Sequence, residues 1–132
     1  MDEYLKPNSS FIRLLDEHKK YGTLCIAYDF DNTVYDFHRK GESYLMVIEL
    51  IRQLNVMGYY LMVFTANEDI EFVKSFLDNN NVPYHGINCN PPFFKSNSVK
   101  PYYNALLDDR AGLIQVYQEL KLLITIINQK ER

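Results

Sequence analysis

Two aspartates one residue apart, Asp29 and Asp31, open the polar run Asp29-Phe30-Asp31-Asn32-Thr33 behind an apolar stretch. If the backbone turns there, both carboxylates face one site, where one can act as nucleophile and the other as general acid and base. A second apolar stretch ends in an adjacent acidic pair, Asp108-Asp109. Acids gathered from two strands repel one another unless a cation lies among them, and Mg2+ prefers such hard oxygen ligands. Asp29, Asp31, Asp108 and Asp109 are therefore the candidate metal ligands, and Asp29 and Asp31 the candidate catalytic pair. A third polar run, Thr65-Ala66-Asn67, offers a hydroxyl and backbone N–H groups to a phosphoryl oxygen, and a lysine, Lys100 or Lys95, would balance the phosphate charge. Each cluster also has a plainer use: Asp-Asn makes turns, and Thr65 or Asp108 can cap a helix.

The elements that must position these groups alternate. Helices are expected over about 9–20, 43–57, 68–80 and from 111 onward, and strands over 23–29, 59–64, 83–89 and 103–107. In the second helix, Leu45, Ile48, Ile51 and Val56 fall near helical spacing and mark the expected core face. The first strand is apolar without alternation, which suits burial on both faces. Strands alternating with helices imply βαβ units, a parallel sheet and right-handed crossovers. The expected fold is thus α/β, a three-layer α/β/α sandwich with a parallel Rossmann-like sheet, as one domain over 1–132. Ligands of such sheets bind beyond the carboxyl ends of the strands. All three polar clusters stand at such ends.

In their order and context, the motifs resemble those of the haloacid-dehalogenase-like hydrolase superfamily over about 24–110. Asp29-Phe30-Asp31-Asn32-Thr33 resembles its first motif, Thr65 its second, Lys100-Pro101 its third and Asp108-Asp109 its fourth. The resemblance implies a Mg2+-dependent phosphomonoester hydrolase. Asp29 would attack phosphorus to form an aspartyl-phosphate, and Asp31 would protonate the leaving oxygen and then activate water. Mg2+ would lie between the Asp29 carboxylate, the Asp31 carbonyl and Asp109, with Asp108 ranked behind Asp109. Thr65, Ala66, Asn67 and Lys100 would bind the phosphate. The dehalogenase branch lacks the second aspartate, so Asp31 points to phosphate chemistry. The third motif departs from the pattern, because Lys100 precedes Asp109 by only nine residues, most of them strand. That route leads toward the other end of the sheet, whereas Lys95 has more loop to reach the site. The Asp108-Asp109-Arg110 context resembles the small deoxyribonucleotidases, which favours Lys100 and a nucleotide monophosphate as the small phosphorylated substrate. A phosphorylated polynucleotide end, or a non-catalytic phosphate-binding regulatory protein, is the alternative.

The gaps after Asp31 and after Thr65 are too short for a cap domain, so the expected site is open. Tyr35, Phe37, Phe93 and Phe94 flank it and would stack a base. With 132 residues, 47% hydrophobic and 23% charged, the chain suits one globular domain. A net charge of −3 leaves no electrostatic footprint for duplex DNA or an anionic membrane, so nucleic acid is disfavoured as a partner. No stretch is long and apolar enough to span a membrane or serve as a signal peptide. Cys25 and Cys89 fall on strands expected about 10 Å apart, too far for a disulfide. A cytoplasmic setting follows. The apolar run over 122–127 goes nearly round its helix, which suits packing on the first helix or a homo-oligomer contact.

Overall fold

The computed structural model describes residues 2–130. A short 3-10 turn at Glu3–Leu5 leads into α1 (Ser9–Tyr21), and β1 (Cys25–Tyr28), α2 (Leu45–Val56), β2 (Tyr60–Val63) and α3 (Ile70–Asn79) follow. The chain continues through β3 (Gly86–Ile87) and β4 (Ala105–Leu107) to α4 (Leu113–Lys130). The four strands form one sheet in the order β3-β2-β1-β4, and every pairing is parallel. This is the parallel, Rossmann-like α/β architecture that the alternation of elements implies. No helix or strand interrupts 29–44 or 64–69 beyond an isolated bridge between Asp31 and Tyr35, so among the described residues no cap domain stands over the sheet.

The two faces of the sheet are covered differently. Leu24, Ile26, Tyr28, Leu61, Val63 and Leu107 point to the helical side and form one core with Leu14, Ile51, Leu54, Val73, Leu77, Leu120 and Leu123. Cys25, Ala27 and Met62 point the other way, toward Tyr102 and Tyr103. Connections β1–α2–β2–α3–β3 all step in one direction, so right-handed crossovers keep α2 and α3 on one face. The return from β3 to β4 steps back across the sheet and passes over the opposite face. That segment, 88–104, contains no helix. The layer on that face is thus a crossing segment carrying tyrosines, and the loop read there from sequence matches it.

Two local expectations change. Leu45 and Val56 are 51% and 88% exposed, while Val47, Leu50, Ile51 and Leu54 are buried. Apolar residues occupy so many positions of α2 that periodicity alone does not set its phase. β3 is far shorter than 83–89, and at its start the Leu61 N–H donates to the His85 side chain, Nδ1 at 2.9 Å, instead of a backbone carbonyl. The apolar run of α4 is explained largely within the chain, since Leu120, Leu123, Ile124 and Ile127 enter the core. Cys25 and Cys89 are both free thiols. Among the described residues, no helix is long and apolar enough to cross a membrane.

The phase of α2 is open to test. Ile51→Ala should destabilise the fold by about 2–5 kcal/mol through lost burial and a residual cavity. Val56→Ala should change stability by less than about 0.5 kcal/mol. Urea denaturation of the two variants checks this, and equal losses would contradict the observed phase.

Candidate functional site

The sheet register gathers the polar clusters. Tyr28 lies opposite Val63 on one side and Leu107 on the other. The Asp29 N–H continues the ladder, donating to the Leu107 carbonyl at 2.8 Å, and the Phe64 N–H does the same to Tyr28 at 2.8 Å. Asp29, Thr65 and Asp108 therefore leave the sheet at one edge. One carboxylate oxygen from each of Asp29, Asp108 and Asp109 lies within 4.8 Å of the others. The donor set is all carboxylate oxygen, which fits a hard cation such as Mg2+.

Two anchors hold this triad. Phe30 is fully buried, stacked on Tyr35 and edge-on to Phe72 and Phe76, so its flanking aspartates project from a fixed ring. Its carbonyl accepts the N–H groups of Thr33, Val34 and Tyr35, and Asn32 closes the turn at φ 61°. Asparagine tolerates that left-handed conformation better than most residues. The second anchor is Thr33, fully buried, whose Oγ1 accepts the Asp109 N–H at 3.2 Å. Asp108 accepts the Arg110 N–H at 2.9 Å, which ties the acidic pair into a tight turn.

Asp31 stands apart from the triad. Its carboxylate faces the end of β2, where Asn67 Nδ2 lies 3.5 Å from Oδ1. The Asn67 N–H donates to Thr65 Oγ1 at 3.0 Å, which leaves the buried Thr65 hydroxyl proton free to donate. Ala66, between them, is exposed. Asn88, from the end of β3, bonds the Thr65 backbone twice: Oδ1 accepts the N–H and Nδ2 donates to the carbonyl, both at 2.9 Å. Asp29, Asp108 and Asp109 thus come together as expected, and Thr65, Asn67 and Asp31 form a second group beside them. The Asp31 carboxylate lies outside the triad, and the metal role expected of Asp31 falls on its backbone carbonyl.

Lys100 lies away from this edge. The Asn104 N–H donates to the Cys25 carbonyl, at the amino end of β1. Four residues of strand put Asn104 about 13 Å from Asp108. Lys100 precedes Asn104 and lines, with Arg13, Tyr102 and Asn104, an open groove of about 600 Å3 beside α1 that includes none of the acids. Phe94 and Ser96, which flank Lys95, line the same groove. The expectation that Lys100 binds the phosphate is therefore overturned by the short path from Lys100 into β4. Most of the expected base-stacking residues are also committed elsewhere. Tyr35 packs on Phe30, Phe94 stacks on Tyr102 at 4.2 Å, and Phe93 meets Tyr60. Phe37 remains exposed, on a loop where the Asp36 carboxylate accepts the N–H groups of Lys40, Gly41 and Glu42. Two residues without an assigned role in the sequence reading, Thr33 and Asn88, turn out to hold the site. Thr33 belongs to the first acidic motif, and Asn88 reads from sequence only as a turn residue.

Burial pushes the Asp29 carboxyl up to about 7, helped by its hydrogen bond with Asp109 and the negative charge of Asp108.

No family model matches the chain, and no curated protein does. Among solved structures, a conserved protein from Bacteroides thetaiotaomicron is similar at 21% identity, covering 76% of this chain and 91% of that one with a TM-score of 0.62. A protein from Vibrio cholerae is 20% identical, covering 83% and 99% with a TM-score of 0.47. The first likeness supports the parallel α/β fold and nothing finer.

The raised Asp29 carboxyl fixes a sign for pH dependence. Its proton stabilises the metal-free fold fully below the ordinary value of 3.8, and this contribution is lost as pH rises through about 7. Melting temperature without metal should therefore fall between pH 5 and pH 8 by more in the wild-type chain than in Asp29→Asn. Calorimetric Mg2+ affinity should rise over the same interval, with proton release. An identical pH trend in both proteins would remove Asp29 as the group responsible.

Proposed function

We propose that this chain is a Mg2+-dependent phosphomonoester hydrolase of the haloacid-dehalogenase type. The observation supporting this reading is the meeting, at one sheet edge, of the Asp29–Asp108–Asp109 triad with the Thr65–Asn67–Asp31 group. Asp29, Asp108 and Asp109 would hold Mg2+, which supplies positive charge to the carboxylates and the phosphate. The Thr65 hydroxyl and the 65–67 loop bind phosphoryl oxygens. An Asp29 oxygen attacks phosphorus, and the bond from phosphorus to the leaving oxygen breaks as Asp31 gives that oxygen its proton. Water then attacks the aspartyl-phosphate and loses a proton to Asp31, which releases phosphate and restores Asp29. Asp31 is oriented for this task by the Asn67 amide rather than by the acids of the triad.

The open edge suits a small phosphomonoester, nucleotide monophosphates included, with Phe37 the aromatic group left at the rim. Two free cysteines fit a cytoplasmic, reducing setting. The displacement of Lys100 favours one second reading, a protein that binds a phosphorylated ligand without turning it over.

Hydrolysis of an aryl phosphate separates the two. The wild-type chain should turn it over with Mg2+ and stop when a chelator is added. Asp29→Asn should reduce turnover to background while the chain still folds, because an amide does not attack phosphorus. Lys100→Ala should leave turnover unchanged. Phosphate binding without hydrolysis in the wild-type chain would select the second reading.

A further inference from the structure

We propose that Asn88 is a positioning residue, which sets Thr65 and through it the phosphate-binding half of the site. This inference rests on the hydrolase reading above. Val63 and Ile87 are the last paired residues of β2 and β3. The Asn88 N–H still donates to the Val63 carbonyl at 2.8 Å, but at φ 52° the chain beyond it turns away, so no further backbone partner reaches Thr65 from β3. Its side-chain amide takes the place of that missing peptide group. It has the same donor and acceptor pair, and it satisfies both the N–H and the carbonyl of Thr65 at 2.9 Å. With its backbone held from one side, Thr65 presents its hydroxyl oxygen to the Asn67 N–H, and the Asn67 side chain reaches Asp31. The clamp thus leads from the end of β3 to the proposed acid and base.

The chemistry selects asparagine twice over. Aspartate has no N–H to give the Thr65 carbonyl, glutamine is one methylene too long, and alanine reaches nothing. The left-handed backbone favours asparagine or glycine over other residues. The metal side is independent of this clamp, because Asp29, Asp108 and Asp109 are set by the β1–β4 ladder and by Thr33. Loss of the clamp should therefore weaken phosphate and spare Mg2+, a split that a general loss of structure does not produce.

Asn88→Gly keeps the backbone conformation and removes the amide, and Asn88→Asp keeps the acceptor and removes the donor. Calorimetry measures Mg2+ affinity, then inorganic phosphate affinity in saturating Mg2+, alongside kcat and KM for an aryl phosphate. In Asn88→Gly, Mg2+ affinity should hold within about twofold while phosphate affinity falls about tenfold, the scale of one or two lost hydrogen bonds. The value of kcat should fall by about tenfold or more, and Asn88→Asp should lie between this variant and wild type. Unchanged phosphate affinity and kcat would overturn the inference, as would Mg2+ and phosphate affinities falling together. Either result, with an active wild-type chain, leaves the hydrolase reading standing. A wild-type chain that neither binds phosphate nor turns over substrate would overturn both.

Discussion

Everything at the candidate site depends on the parallel register that sets Tyr28 between Val63 and Leu107. Side chains alternate along a strand, so a slip of one residue would exchange the buried and outward sets and move every strand end by about 3.3 Å. The register is itself enforced by the difference between the two faces. Leu24, Ile26 and Tyr28 must meet the helices, while Cys25 and Ala27 must meet Tyr102 and Tyr103. Core packing thereby places Asp29 beside Asp108 without any attraction between them. The same packing overrides their repulsion, and the Asp29 carboxyl is raised chiefly by its burial there, with the Asp109 hydrogen bond and the Asp108 charge adding to it.

The edge is divided into two halves with different supports. On the β4 side, three carboxylates gather charge that a cation would relieve, and the buried Thr33 hydroxyl fixes the backbone of the acidic pair. On the β3 side, neutral amides do the holding: Asn88 secures Thr65, and Asn67 extends from Thr65 to Asp31. Phe30 is the pivot between the halves, since its buried ring separates Asp29 from Asp31 in sequence and turns them to different neighbours. The proposed hydrolase reading would use this division, with one aspartate beside a metal and the other beside the leaving group.

Much of this was legible in the sequence, for physical reasons that can be named. The runs before Asp29, Thr65 and Asp108 are apolar and end abruptly, so the strands, their parallel order and the shared edge follow from composition and alternation with helices. The phase of α2 was not legible, because Leu45 and Val56 are as apolar as the residues that enter the core. The crossing segment was legible as loop, but its covering of the second face was not, because Tyr102 and Tyr103 carry no periodicity that would reveal it. Lys100 was misplaced because motif order says nothing of direction of travel, and a chain that enters β4 from the amino edge leaves a preceding lysine behind. Asn88 was hidden for another reason: an asparagine in a turn-rich run looks the same whether its amide faces water or a neighbouring backbone.

The long return over the second face has a consequence for how the molecule is assembled. β1 and β2 are joined through a single helix, whereas Cys25 and Asn104, which begin the β1–β4 contact, are 79 residues apart. Closing a loop of that length carries a greater entropy cost and favours late formation of the contact. The amide-held half of the edge is built from the more local pairings β1–β2 and β2–β3, and the acidic half arises only when β4 docks. Electrostatic repulsion is thus deferred to the last pairing of the sheet, where the core already formed on the helical side is available to oppose it.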